Sequence, residues 1–479
     1  MCTLRHAIIA TFLLVFAATG FAVEWEPIES GMLQISEPKI DKNADAEILL
    51  WRTRIEDRDD RGQLVLFRSH YVRVKVFTER GRESQSTVDL HQVGKGQIRD
   101  LKARTIKRDG TIIPLEKDQV FEREVLRASG LRIRKHSFSL PSVEVGDIIE
   151  YQWTQYHDNE LADYLELEVE RDLPTWKLIY QVKPIDWGKY GLRYIMKNRA
   201  FQCDAKPWTR FGAGLYQTVY ENIPAFKEEA WAPSDAQLRA WLLIYYEEPE
   251  NPTPARFWKD YGKKLYGEYK RDTKVDGKVK TLAQQLIAGK QDDSERLGAI
   301  ATYCKTQIKN IYHPLFGIST ADLTKFKAAT KPSQTIERGL GTGGDINQLF
   351  VALAEASGFD ARIARMVGRD RYFFDPSFTS AYFMQRDSVA VNVGGTWKFF
   401  DLANPFIEDG MLAWQEEGVQ ALIGDPDEPK FVQTPISPAS RTRKKRSGRF
   451  ELLEDGTLKG TFEVVLTGHE GAGRKYTLA

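Results

Sequence analysis

Apolar positions along the chain fall into two regimes. From about Trp25 to Trp231 they alternate with polar ones, the period of a strand that buries one face. His70-Tyr-Val-Arg-Val-Lys-Val-Phe77 has this alternation and reads as a half-buried strand. Residues 103–113 carry Asp109-Gly110 between two such runs, a hairpin signal. Val145-Gly146-Asp147 then leads into another run that reaches Tyr151. Many short strands punctuated by Gly, Pro and Asp predict a β-sandwich-like domain over 23–245.

The period changes after the Pro-containing stretch Glu247-Glu-Pro-Glu-Asn-Pro-Thr-Pro254. Asp293-Ser294 opens a helix whose Leu297, Ile300, Ala301, Cys304, Ile308 and Ile311 share one face. A second helix starts near Asp345, with Ile346, Leu349, Phe350, Leu353 and Ser357 along one side and Gly358 placed to stop it. Strands follow at 361–367 and 388–393, then a Gly394-Gly395 turn and a strand at 397–400 that ends at Asp401. Helices leading into an antiparallel meander predict an α+β domain over 255–435. Residues 450–466 read as a hairpin around Asp455-Gly456. Segment 445–479 is too short to bury a core of its own. It is expected to be the start of a C-terminal β unit that the chain leaves incomplete.

The front of the chain has a different character. An apolar run at 7–18 follows Arg5 and His6, and Gly20-Phe21-Ala22 supplies small residues at a cleavage site. A spanning helix needs ~20 apolar residues, so 1–22 reads as a cleaved signal peptide, and no later segment is apolar enough to span a bilayer. The expected location is the periplasm or the cell exterior. The formal net charge of +1 gives no global field to recruit nucleic acid. Of the three cysteines, Cys2 lies in the signal segment, while Cys203 and Cys304 fall in different expected domains, so no bridge between them is expected. Six tryptophans between Trp153 and Trp241 read as core filler in preference to a sugar-stacking face.

Candidate chemistry concentrates at Arg338-Gly-Leu-Gly-Thr-Gly-Gly-Asp-Ile-Asn347. Together with Ile308–Tyr312, residues 352–362 and the strand into Asp401, this segment resembles the transglutaminase-like group of the papain-type fold. The version it resembles is one in which exported bacterial proteins place a β-rich domain of unknown function in front. Arg104–Gly110 and Phe138–Gly146 are similar to that companion domain. The resemblance implies a Gly-x-Cys-x-Asp motif opening the helix, where free amides and the dipole favour a thiolate. It further implies a His on the next strand and an orienting Asp on the one after. In this chain Gly341-Thr342-Gly343-Gly344-Asp345 takes the motif, Asp387 takes the place of the His, and only Asp401 is kept. Glycine has no nucleophile, and a carboxylate lacks the near-neutral pKa of imidazole. Cys304, mid-helix on an apolar stripe, reads as a packed thiol.

The same residues admit other uses. Thr342 offers a hydroxyl, with no base in evidence. Asp345, Asp387 and Asp401 are weak candidates for holding a hard cation such as calcium, or for sharing a proton. Against this, Asp345 can cap its helix and the others can pair with Arg362, Arg365, Arg369 or Arg386. The glycines at 339, 341, 343 and 344 suit either an anion or close packing, and their spacing fits no dinucleotide or P-loop pattern. The expectation is a non-catalytic envelope protein that binds or scaffolds an extended peptide or glycopeptide, with no cofactor and no resident metal. An active transglutaminase or cysteine protease is the alternative, and a cation site at the Asp cluster a further one.

Overall fold

A computed structural model describes residues 25–478 apart from 129, 130, 213, 251 and 373; the expected signal segment 1–22 lies outside the described residues. The chain divides into two compact units. One holds the chain up to Lys227 plus Trp241–Glu247; the other holds Glu228–Ala240 plus the chain from Glu248 onward.

The first unit is strand-rich. An eight-stranded sheet runs in the order Thr209–Arg210, Tyr216–Ile223, Thr175–Lys183, Ala46–Asp60, Gln63–Val76, Ile148–Asp158, Gln97–Ile106, Ile112–Pro114. The Asp109-Gly110 hairpin forms where the pattern places it, with Gly110 at φ +88°, a conformation that costs glycine nothing. One face of the large sheet contributes Val72, Val74, Ala103 and Ile149 to a core shared with Leu90 and Phe138 of a three-stranded sheet. That layering is sandwich-like.

The half-buried reading of the 70–77 run does not hold. His70 to Val76 are all buried, because Gln63–Val76 lies between two strands and the opposite face is also covered. There Leu49, Ile106 and Ile148 pack against Ile28, Met32, Leu33 and Ile35 of the N-terminal segment. The alternation therefore records two different interiors. On the second one, Arg73 donates to Glu150 Oε1 at 2.5 Å and Arg104 to Glu150 Oε2 at 2.6 Å. Lys75 donates to the Gly146 carbonyl at 2.6 Å, and burial pushes its ammonium down to about 8. Buried charges persist only when paired and hydrogen-bonded in this way. The core-filler reading of the tryptophans also needs correction: Trp153 and Trp241 are buried, but Trp231 is fully exposed and Trp187 and Trp208 line a cavity.

The second unit is α+β. A five-stranded antiparallel sheet has the order Thr396–Phe400, Arg386–Val393, Asp360–Met366, Gln420–Ile423, Lys430–Gln433. Helices Gly277–Ile287, Asp293–Gln307 and Gly343–Ala356 cover one face through Val279, Leu297, Ile300, Cys304, Leu349 and Phe350, which meet Ala361, Ile363, Val389 and Val391. The central helix Gly343–Ala356 buries nearly its whole length, and Gly358 ends it at φ +91°. A C-terminal hairpin pairs Lys444–Leu452 with Leu458–Leu466. A helix, Gly468–Leu478, follows it, which the pattern reading does not include. No helix among the described residues is long and apolar enough to cross a membrane.

Candidate functional site

The site is built at the mouth of the Gly343–Ala356 helix. Thr342 is its N-cap: the hydroxyl accepts from Asp345 N at 3.1 Å, and Asp345 Oδ2 accepts from Thr342 N at 2.8 Å. This reciprocal box satisfies two amides that the helix leaves unpaired. Asp345 is thus the third helical residue of the box, where the sequence reading made it the cap itself. Its other oxygen accepts from Ala329 N at 3.1 Å, so the buried carboxylate is fully used inside the fold.

The glycines divide by the room around them. A Cβ at Gly341 would sit 2.8 Å from Asp345 Cβ and 3.2 Å from Thr335 Cγ2, so only glycine fits beside the box. A Cβ at Gly344 would have Thr342 Oγ1 as its neighbour at 3.6 Å, and that residue is exposed. A Cβ at Gly343 would lie 3.1 Å from Ala403 Cβ and 3.8 Å from Asn310 Nδ2. Asn310 pins this wall: Nδ2 donates to Ala403 O at 2.8 Å, and Oδ1 accepts from Tyr312 N at 3.1 Å.

Asp387 stands across from Arg365 on the neighbouring strand, and the two form a bidentate pair at 2.8 and 2.9 Å. Tyr269 adds its hydroxyl to Asp387 Oδ2 at 2.5 Å, and burial beside that carboxylate pushes the phenol well above its ordinary range. Such a pair orients the carboxylate and occupies both of its oxygens. Four residues beyond Gly343, Asn347 donates through Nδ2 to the Asp387 carbonyl at 3.0 Å, tying the helix to this strand. Of the four arginines considered as partners, Arg365 is the one that pairs with Asp387. Arg362 pairs with Asp360 and Asp425, Arg386 with Asp370, and Arg369 lies 3.9 Å from Glu417.

Asp401 follows Thr396–Phe400 and turns inward. Burial raises its carboxyl, while the amides of Asn404, Ala403 and Ala413 and the charge of Lys305 hold it back. Beside it lies Glu416, only 9 % exposed, which the sequence reading missed. Burial first, and then Asp401, push Glu416 up to about 8, with Arg386 at 3.9 Å opposing. A carboxyl with that value is protonated at neutral pH and can donate a proton. Its signal in sequence is faint, since Trp414-Gln-Glu-Glu-Gly418 looks like a solvated turn.

The three aspartates proposed for a cation do not gather. Asp345 is spent on Thr342 and Ala329, Asp387 on Arg365 and Tyr269, and no group of three or more His, Cys, Asp or Glu suited to a metal occurs among the described residues. The thiols stand elsewhere. Cys304 is fully buried in the helical core, and burial pushes it far above the ordinary thiol range. Cys203 belongs to the first unit, is also free, and is likewise raised. His313 accepts from Leu315 N at 3.2 Å and sits among Phe316, Phe406 and Tyr476, where burial lowers its pKa. His469 meets the Leu412 carbonyl at 2.9 Å.

Helix mouth, flanking strands and the strand into Asp401 match a known family. Residues 280–401 match the transglutaminase-like superfamily. The second unit carries a transglutaminase-like domain. In front of it, residues 67–200 match DUF3857, described as a domain of unknown function with a solved structure. Among solved structures the chain is similar to a Parabacteroides distasonis protein described as a candidate protease, at TM-score 0.48 and 14% identity over 85% of this chain and 77% of that one. It is also similar to the native leukotriene A4 hydrolase of yeast, at TM-score 0.23 and 9% identity over 56% of this chain and 46% of that one. No curated protein matches the chain. Likenesses at these scores carry no functional argument, so the transglutaminase-like site is read from its own residues.

Proposed function

We propose that this is a non-catalytic transglutaminase-like protein of the cell envelope, whose cleft receives an extended peptide or glycopeptide. The reading rests on Gly343, which the sequence resemblance sets at the family's thiol position; in the structure Ala403 Cβ stands 3.1 Å from where a Cβ on Gly343 would begin. A missing nucleophile is compounded by a wall drawn in over its place. Asp387, which the sequence resemblance sets at the place of the family's imidazole, has both carboxylate oxygens engaged by Arg365 and Tyr269. Export rests on the apolar run at 7–18 and the small residues at 20–22. Exposed Gly344 and half-exposed Gly343 keep backbone amides at a helix N-terminus, groups suited to a peptide carbonyl or carboxylate.

Gly344→Trp tests the binding reading, because its Cβ meets only Thr342 Oγ1, at an ordinary contact distance of 3.6 Å, and the residue is exposed at the helix mouth. A muramyl-pentapeptide and its free pentapeptide serve as probes in calorimetry with the full chain. The substitution is expected to weaken the better of them by about tenfold, close to 1.4 kcal/mol, with unfolding unchanged. Equal affinity for both proteins, or no binding to either, would remove the cleft as the binding site.

A further inference from the structure

In the first unit a cavity of about 460 Å³ is lined by residues of two sheets. Its volume falls within the roughly 300–1,000 Å³ usual for ligand pockets. Val182 and Tyr216, register partners in the eight-stranded sheet, supply one side. Asn198 and Ile244, register partners in the three-stranded sheet, supply the other, with Met196 on the same face two residues along. Trp187, Tyr194 and Trp208 line it as well. Tyr194 is 39% exposed and Tyr216 41%, so solvent reaches the rings. Two of the tryptophans read as core filler thus stand where stacking is open.

The lining is held ready. Trp187 makes edge contacts with Tyr190, Tyr194 and Tyr246, at centroid distances of 6.1, 5.7 and 5.5 Å, which fix its plane. Asp186 caps the turn that carries it: Oδ1 accepts from Gly188 N at 3.1 Å. The other Asp186 oxygen, the Asn198 amide and the hydroxyls of Tyr194 and Tyr216 have no hydrogen-bond partner among the described residues. Lys197 also lines the cavity, but Glu247 matches its charge at 2.6 Å. Aromatic faces beside unspent polar groups suit a ligand with an apolar face and a polar rim. A lipid tail would cover the rings and strip water from those groups without replacing it. An acidic ligand would meet the Asp186 carboxylate. A β-linked sugar of gluco configuration has the required form: equatorial hydroxyls make its rim and C–H bonds its faces. Rings take such a face, while carboxylate and amide bond the hydroxyls around it.

We propose that this cavity binds a neutral β-linked disaccharide of gluco configuration, a sugar face stacked among Trp187, Tyr194, Trp208 and Tyr216 and its hydroxyls bonded by Asp186 and Asn198. None of these residues belongs to the transglutaminase-like domain, and the proposal does not rest on the reading given for that cleft. Cellobiose and N,N′-diacetylchitobiose are the probes, titrated into the full chain by calorimetry, with maltose and tetramethylammonium as comparisons. The better probe is expected to bind with a Kd of about 0.1–1 mM. Saturation-transfer NMR is expected to mark the C–H protons of one sugar face above the rest. Tyr194→Ala and Tyr216→Ala are each expected to weaken binding about tenfold, and Asn198→Ala about fivefold, while circular dichroism stays unchanged. Gly344→Trp is expected to leave it unaltered. The proposal is overturned if neither probe binds below about 10 mM, or if both tyrosine variants bind as tightly as the natural chain. Loss of binding in Gly344→Trp, which would move the sugar to the other cleft, overturns it too. So does tighter binding of maltose, whose α-linkage bends the two rings out of line, or of tetramethylammonium, which would make the rings a cation cage.

Discussion

Asp345→Ala is expected to lower the stability of the transglutaminase-like domain by about 2–4 kcal/mol, because the change leaves two backbone amides of half-buried residues without the acceptor that holds them. The carboxylate accepts from Thr342 N at 2.8 Å and from Ala329 N at 3.1 Å and is 3 % exposed. An amide left without its partner costs about 1–3 kcal/mol when it is closed to water, and less in proportion to its exposure. Asp345→Asn keeps a single acceptor oxygen and should lose roughly half as much. Urea unfolding followed by tryptophan fluorescence checks both, and a loss below about 1 kcal/mol for the alanine variant would show that the box does not hold the helix mouth.

Glu416→Gln is expected to change the pH dependence of stability more than any other single replacement at the site. Burial and Asp401 push the Glu416 carboxyl up to about 8. Its folded value lies above the unfolded one, so the native state holds the proton more tightly than the unfolded chain does. The contribution is full below the ordinary carboxyl range, falls as pH rises towards about 8, and is lost above it. At ~1.36 kcal/mol per pKa unit the fall totals on the order of 4–5 kcal/mol. Glutamine cannot ionise and keeps the shape. The variant should match the natural protein near pH 4 and exceed it by roughly 8–20 °C in Tm near pH 9, at about 2–4 °C per kcal/mol. Melting curves across that range decide the matter; parallel profiles for the two proteins would contradict it.

How far the sequence carries depends on which physical signal each element leaves. The stripe through Ile346, Leu349, Phe350 and Leu353 specifies the central helix, and Gly358 its end, because burial and chain reversal both restrict residue type. Cys304 is legible as a packed thiol for the same reason: it falls on the stripe of Leu297, Ile300 and Ala301. Arg365 stood among four possible partners of Asp387, and only strand register selects it. The burial of Arg73 and Lys75 escapes a period-two reading, since alternation does not reveal whether the polar face meets water or another layer. Glu416 escapes for a related reason, being a charged residue in a polar turn whose depth is set by elements distant in sequence. The helix Gly468–Leu478 opens Gly-His-Glu-Gly-Ala-Gly, a composition that argues against helix, and Ala472 gains its place by packing on Ile407 and Met411.

The helix mouth is proposed to carry no thiol chemistry. The most direct test of this is turnover: transfer of a fluorescent primary amine to a glutamine peptide, and hydrolysis of that peptide, by the natural chain and by its Cys203→Ala and Cys304→Ala variants. The expected result is no turnover above the uncatalysed rate in any of the three. Measurable acyl transfer or cleavage that disappears with either cysteine would contradict the account.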